Sequence, residues 1–195
     1  MEWNVEKMLS AVAEESTFLR RAIELRRWAV VSDWVRMWAL RKYGGVYFDL
    51  DVELIAGIDD LLDEEWIAGE WKPGGGIWLN PGGGIALAPN SPLAGEMLAL
   101  YENAGYDENA EMMSVINDNL TKALKCHPIK VLSPEWFSPL DCRGVMRSTE
   151  NTRGIHHFAM SGSSLVARLA RWLAWHGLGG LILRALKVKQ SNVVF

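Results

Sequence analysis

The chain has 195 residues, 49% of them hydrophobic and 23% charged, with a net charge of −4. That balance supports one domain with a sizeable core and excludes a low-hydrophobicity disordered chain. No apolar run reaches the roughly 20 residues a membrane-spanning helix needs, so such a helix is not expected.

The charge is uneven. Arg153, Arg168, Arg171, Arg184, Lys187 and Lys189 follow Glu150, and no acid does. The six leave 14 basic against 24 acidic groups in residues 1–150, a net −10. A basic end on an acidic body points to contact with something anionic. Cys126 and Cys142 form no CxxC and no Cys/His metal spacing, so free thiols in a reducing compartment are expected. The opening "MEWNVEKMLS" has acids and no apolar signal-peptide core, which predicts a cytoplasmic location.

Residues 6–27 have apolar positions at helical spacing. Ser32 with Asp33 reads as an N-cap and first turn of a helix to about Tyr43, stopped by Gly44-Gly45. "VYFDLDV" then alternates with period two and predicts a strand. "GIDDLLDEEWIAGEW" predicts a helical turn and a strand near Trp66–Trp71. "PGGGIWLN" and "PGGGIALA" are tandem copies of period eight, read as two short strands preceded by glycine turns. No Gly-Lys-Ser/Thr follows these glycines, which excludes a P-loop. Helices are expected from Pro92 to Tyr101 and from Asp107 to Lys125, and short strands in "HPIKVLSPEWFSP" and "RGIHHFAMS". Residues 163–195 read as a basic, Trp-rich helical tail behind a single domain, 1–162. Strands alternating with helices argue for an α/β sheet.

Asp49 and Asp51 would share one face of a strand, roughly 6.5 Å apart. Their mutual repulsion suits a hard divalent cation that also binds phosphates. A wet strand face of Asp49, Asp51 and Glu53 is the plainer alternative, and three letters alone favour it. "FDLDVE" also matches the first half of a haloacid-dehalogenase phosphatase opening, "FDLDGT", but lacks its Gly-Thr.

The longer segment "AVVSDWVRMWALRKYGGVYFDLDVELI" closely resembles the glycosyltransferase sugar-binding region with a DxD motif. That family includes bacterial capsular and lipopolysaccharide sugar transferases, fungal mannosyltransferases and large clostridial glucosylating toxins. Its pattern falls here on Ser32-Asp33, Arg36, Gly44-Gly45, Tyr47, Asp49 and Asp51. "STENTRGIHHFAMS" resembles the segment that closes bacterial members.

The resemblance implies a GT-A fold, a mixed sheet flanked by helices. It implies a retaining glycosyltransferase that moves a hexose from a UDP- or GDP-sugar to a glycan or lipid-linked acceptor in polysaccharide biosynthesis. It implies Mn²⁺ or Mg²⁺ held by Asp51 and Asp49, with His157 as third ligand. Asp49 would also touch ribose or sugar, with Asp33, Arg36, Gly45 and Tyr47 on the substrate. Nucleic acid is not an implied partner.

Family members usually begin with a further strand and helix bearing an "IPKxIH"-like stretch, which this sequence does not show. The sheet is therefore expected to be short by one unit. A catalytically silent sugar- or nucleotide-binding remnant is the rival reading. For the tail, contact with the inner face of an anionic membrane and packing on the domain stand level.

Overall fold

The computed structural model of the chain describes residues 5–72, 76–107, 112–140 and 145–158. The basic tail from residue 163, Cys142 and the first glycines after Pro73 lie outside the described residues. Helices and a mixed sheet make this an α/β protein, as the alternating pattern predicts. Two compact units interleave along the sequence. The first takes Met1–Gly45 and Leu87–Ile129, the second Val46–Ala86 and residues from Lys130 onward.

The first unit holds helices α1 (Val5–Ala13), α2 (Thr17–Glu24), α3 (Trp28–Tyr43), α4 (Pro92–Ala104) and α5 (Met112–Cys126). The single helix expected over 6–27 is broken between α1 and α2. Ser16 is extended, and its Oγ accepts the Leu19 N–H at 2.9 Å. That bond satisfies an N–H that a new helix start would otherwise leave open.

A second correction concerns Ser32, which lies inside α3 rather than at its N-cap. Val30, Val31, Trp34, Met37 and Leu40 form the buried stripe of α3, so burial begins two residues before Ser32. A cap is worth about 1 kcal/mol. Burying two valines contributes about 1.5–3 kcal/mol each, and packing wins. The stop is as expected. Gly44 has φ 66°, and a Cβ there would lie 2.6 Å from Pro89 Cδ. Phe18 of α2 meets the rings of Tyr101 and Tyr106 at 5.0 and 5.4 Å between centroids.

The strands are β1 (Gly45–Tyr47), β2 (Val52–Leu54), β3 (Trp66–Trp71), β4 (Ile77–Leu79), β5 (Ile85–Leu87), β6 (Lys130–Leu132) and β7 (Gly154–His156). β3 organises the main sheet. It runs parallel to β6, Ala68 opposite Leu132, and antiparallel to β4 and β5. β1 neighbours β5. β2 and β7 form a separate antiparallel pair, Val52 opposite His156.

The core of this unit is aromatic. Trp66 stacks on Phe137 at 5.2 Å and 7°, and Phe48 tilts against both. Leu61, Ala68, Ala86 and Leu132 complete it. Trp66 Nε1 donates to the Leu61 carbonyl at 2.8 Å, so the indole is buried with its one polar atom satisfied.

The continuous strand expected over "VYFDLDV" is not what forms. β1 ends at Tyr47, Leu50-Asp51 is a turn, and β2 pairs in the other sheet. The alternation was real at Val46 and Phe48, which pack on the core, but Leu50 is fully exposed at the turn tip.

Candidate functional site

The site is built on that turn. Asp49 N–H donates to the Gly82 carbonyl at 2.9 Å, and Val52 N–H donates to the Asp49 carbonyl at 3.0 Å. His157 N–H donates to the Asp51 carbonyl at 2.9 Å. The backbone on both sides of Leu50 is therefore tied down, and the two carboxylates converge by a turn instead of a pleat. Ligand atoms of Asp49, Asp51 and His156 all lie within 4.8 Å of one another.

The structure brings His156 to the aspartates, where the family pattern pointed to His157. Adjacent strand residues face opposite ways, so β7 delivers only one of the pair. His156 Nε2 is 3.3 Å from Asp51 Oδ1. His157 turns to the other side, where its Nε2 is 3.0 Å from Glu53 Oε2. Behind His156 stands Phe158, ring centroids 4.0 Å apart, with its own φ at 49°, a costly value for an aromatic residue.

Asn80 and Ser138 are contributors that the sequence pattern does not mark, and they work with the glycine turn at Gly82-Gly83. Asn80 Nδ2 is 3.0 Å from His156 Nδ1 and 3.5 Å from Ser138 Oγ, and Asn80 Oδ1 accepts the Gly83 N–H at 2.9 Å. Gly82 packs so closely that a Cβ would meet Asp49 Oδ2 at 2.2 Å. The second glycine copy is thus a tight turn, as expected, and also the floor under Asp49. The Asn-Pro-Gly-Gly run signals a turn, but nothing in the sequence tells what the turn packs on.

Tyr47 Oη donates to Asp49 Oδ1 at 2.8 Å and fixes that carboxylate. Gly45, the other expected backbone contributor, is exposed with φ 101°. Burial holds the His156 pKa below the usual histidine value, while Asp51 and Asp49 pull it the other way. Burial is the larger influence, which favours the neutral ring at pH 7.

The donor chemistry fits a divalent cation of the Mg²⁺ or Mn²⁺ kind. Two carboxylates supply hard oxygens, and a cation would relieve the repulsion between the acids.

In the helical unit, Arg36 Nη2 lies 3.1 Å from Asp33 Oδ1, one turn apart on α3. This is no loose surface pair, since the side chains are 5% and 15% exposed. Tyr101 is buried in the same unit. Burial first, and the Asp33 charge second, push its hydroxyl pKa well above the usual value.

Residues 1–68 match the family model described as the glycosyltransferase sugar-binding region containing a DXD motif. That is about a third of the chain, and it holds Asp33, Arg36, Asp49 and Asp51. The match supports a relation to glycosyltransferases. No curated protein matches. Among solved structures, the PaToxG glycosyltransferase is similar to this chain at 19% identity and a TM-score of 0.48. The similarity covers 60% of this chain and 44% of that one, so this chain spans less than half of that structure.

Proposed function

We propose that the chain is a GT-A-type, metal-dependent retaining glycosyltransferase that takes a hexose from a nucleotide-diphosphate sugar. The observation that carries this reading is the convergence of the Asp49 and Asp51 carboxylates, both inside the segment the family model matches.

Asp49 and Asp51 hold the cation, Mn²⁺ or Mg²⁺. When bound, the ion supplies positive charge against the diphosphate that departs from the sugar. Tyr47 holds one Asp49 oxygen, and Gly82 gives that carboxylate room to sit low in the turn. Asp33 and Arg36 bind the transferred sugar. Their fixed, buried pairing supports this, because a guanidinium that is already oriented loses little freedom on meeting a hydroxyl. A UDP- or GDP-hexose donor and a glycan or lipid-linked acceptor, as in capsule or lipopolysaccharide assembly, rest on the sequence resemblance.

A donor-hydrolysis assay tests the reading. The full chain should release nucleoside diphosphate from a UDP- or GDP-hexose in Mn²⁺, and chelation should stop it. Asp51→Asn should lower the rate at least about 100-fold, the scale of losing an electrostatic stabiliser. Release that persists unchanged under chelation and in Asp51→Asn would contradict the proposal. Donor binding without release would move the reading to a silent sugar-binding remnant.

A further inference from the structure

We propose that His156 is a positioning residue for Asp51 and not a ligand of the cation: its ring proton sits on Nε2 and is donated to Asp51 Oδ1. The inference rests on Asp49 and Asp51 being the groups that hold the cation.

The argument begins at a backbone group with one option. The Gly83 N–H can only donate, and it donates to Asn80 Oδ1 at 2.9 Å. The opposite flip of the Asn80 amide would set two donors against each other. Asn80 Nδ2 is therefore the atom 3.0 Å from His156 Nδ1, and an amide nitrogen also only donates. Nδ1 must accept.

A neutral imidazole has one proton, so that proton is on Nε2. Nε2 lies 3.3 Å from Asp51 Oδ1, a carboxylate oxygen that can only accept. A ring protonated on both nitrogens would press an N–H against the Asn80 N–H. A ring that ligated through Nε2 would need Nδ1–H, and would meet the same clash.

Reorientation is also opposed. His156 is 6% exposed, stacked on Phe158, and its backbone N–H is held by the Phe137 carbonyl at 2.8 Å. His156 thus orients the Asp51 carboxylate through Oδ1, the usual task of an outer-layer hydrogen bond at a metal centre.

The test uses the full chain. Without metal, long-range ¹H–¹⁵N spectra at neutral pH should show His156, assigned by its loss in His156→Gln, as the Nε2–H tautomer. A dominant Nδ1–H tautomer would overturn the inference. With Mn²⁺ alone, electron spin-echo modulation should show no directly bound nitrogen. A bound-nitrogen coupling that vanishes in His156→Gln would overturn it as well.

The glutamine amide nitrogen can replace the Nε2–H donor. His156→Gln should therefore keep Mn²⁺ affinity within about threefold, while His156→Ala loses about 10–100-fold. Equal losses in both variants would count against the assignment. If the wild-type chain binds no Mn²⁺, the cation reading of Asp49 and Asp51 fails. The metal-free tautomer spectrum then still reads the Asn80–His156 arrangement separately.

Discussion

Gly82 decides where Asp49 can be. A methyl group there would lie 2.2 Å from Asp49 Oδ2, closer than any real contact, so the carboxylate would have to leave. Gly82→Ala should therefore weaken Mn²⁺ binding by about tenfold or more, while secondary structure by circular dichroism stays native. Unchanged affinity would mean that Asp49 is not held where it is described.

Which histidine joins the aspartates was not legible in the sequence. "HH" guarantees one residue on each face of a strand, but parity is set by the pairing of Val52 with His156 across β2 and β7. That pairing is a long-range fact. Asn80 is similar. Its role depends on a Gly83 N–H three residues on and a histidine 76 residues away.

At the scale of elements, local punctuation was readable and continuity was not. Gly44 stops α3, and the strand at Trp66–Trp71 lies where its apolar run predicted. The stretch through Asp49 and Asp51 has the pattern of one strand because the turn between β1 and β2 preserves alternation on either side of it. Burial, not the cap signal at Ser32, set the start of α3.

Two predictions belong here. Trp66 is fully buried and stacked on Phe137, so Trp66→Ala should cost about 3–5 kcal/mol in urea denaturation. A loss below 1 kcal/mol would show that this aromatic stack is not the core of its unit.

The second is a pH dependence. The Tyr101 pKa is raised in the folded chain from 10.0, and its hydroxyl makes no hydrogen bond among the described residues. A raised folded pKa gives stability that is fully present below the unfolded value and lost as pH rises above it. Stability should thus fall above pH 10, the unfolded tyrosine value. Tyr101→Phe should flatten that limb and stay within about 1 kcal/mol of wild type at pH 7, since no bonded partner is stranded. A Tyr101→Phe limb as steep as wild type would assign the alkaline loss elsewhere.

At the scale of the whole molecule, the α/β class was legible from the order of helices and strands. The division into two interleaved units was not, because no linker composition marks a boundary. Each unit is closed by segments far apart in sequence, which only packing reveals.

The candidate cation also has a global readout. Mn²⁺ at 100 times its Kd should stabilise the folded chain by about 2.7 kcal/mol, through mass action alone. Asp51→Asn should abolish this shift while leaving the metal-free melting temperature close to wild type. A shift that survives in Asp51→Asn would place the ion elsewhere.

The most direct test of the central claim is calorimetric titration of UDP- and GDP-hexoses into the full chain, with and without Mn²⁺. The account predicts that one of these donors binds in Mn²⁺, and that binding is lost on chelation and in Asp51→Asn. Donor binding that is equally tight without metal, or in Asp51→Asn, would contradict it.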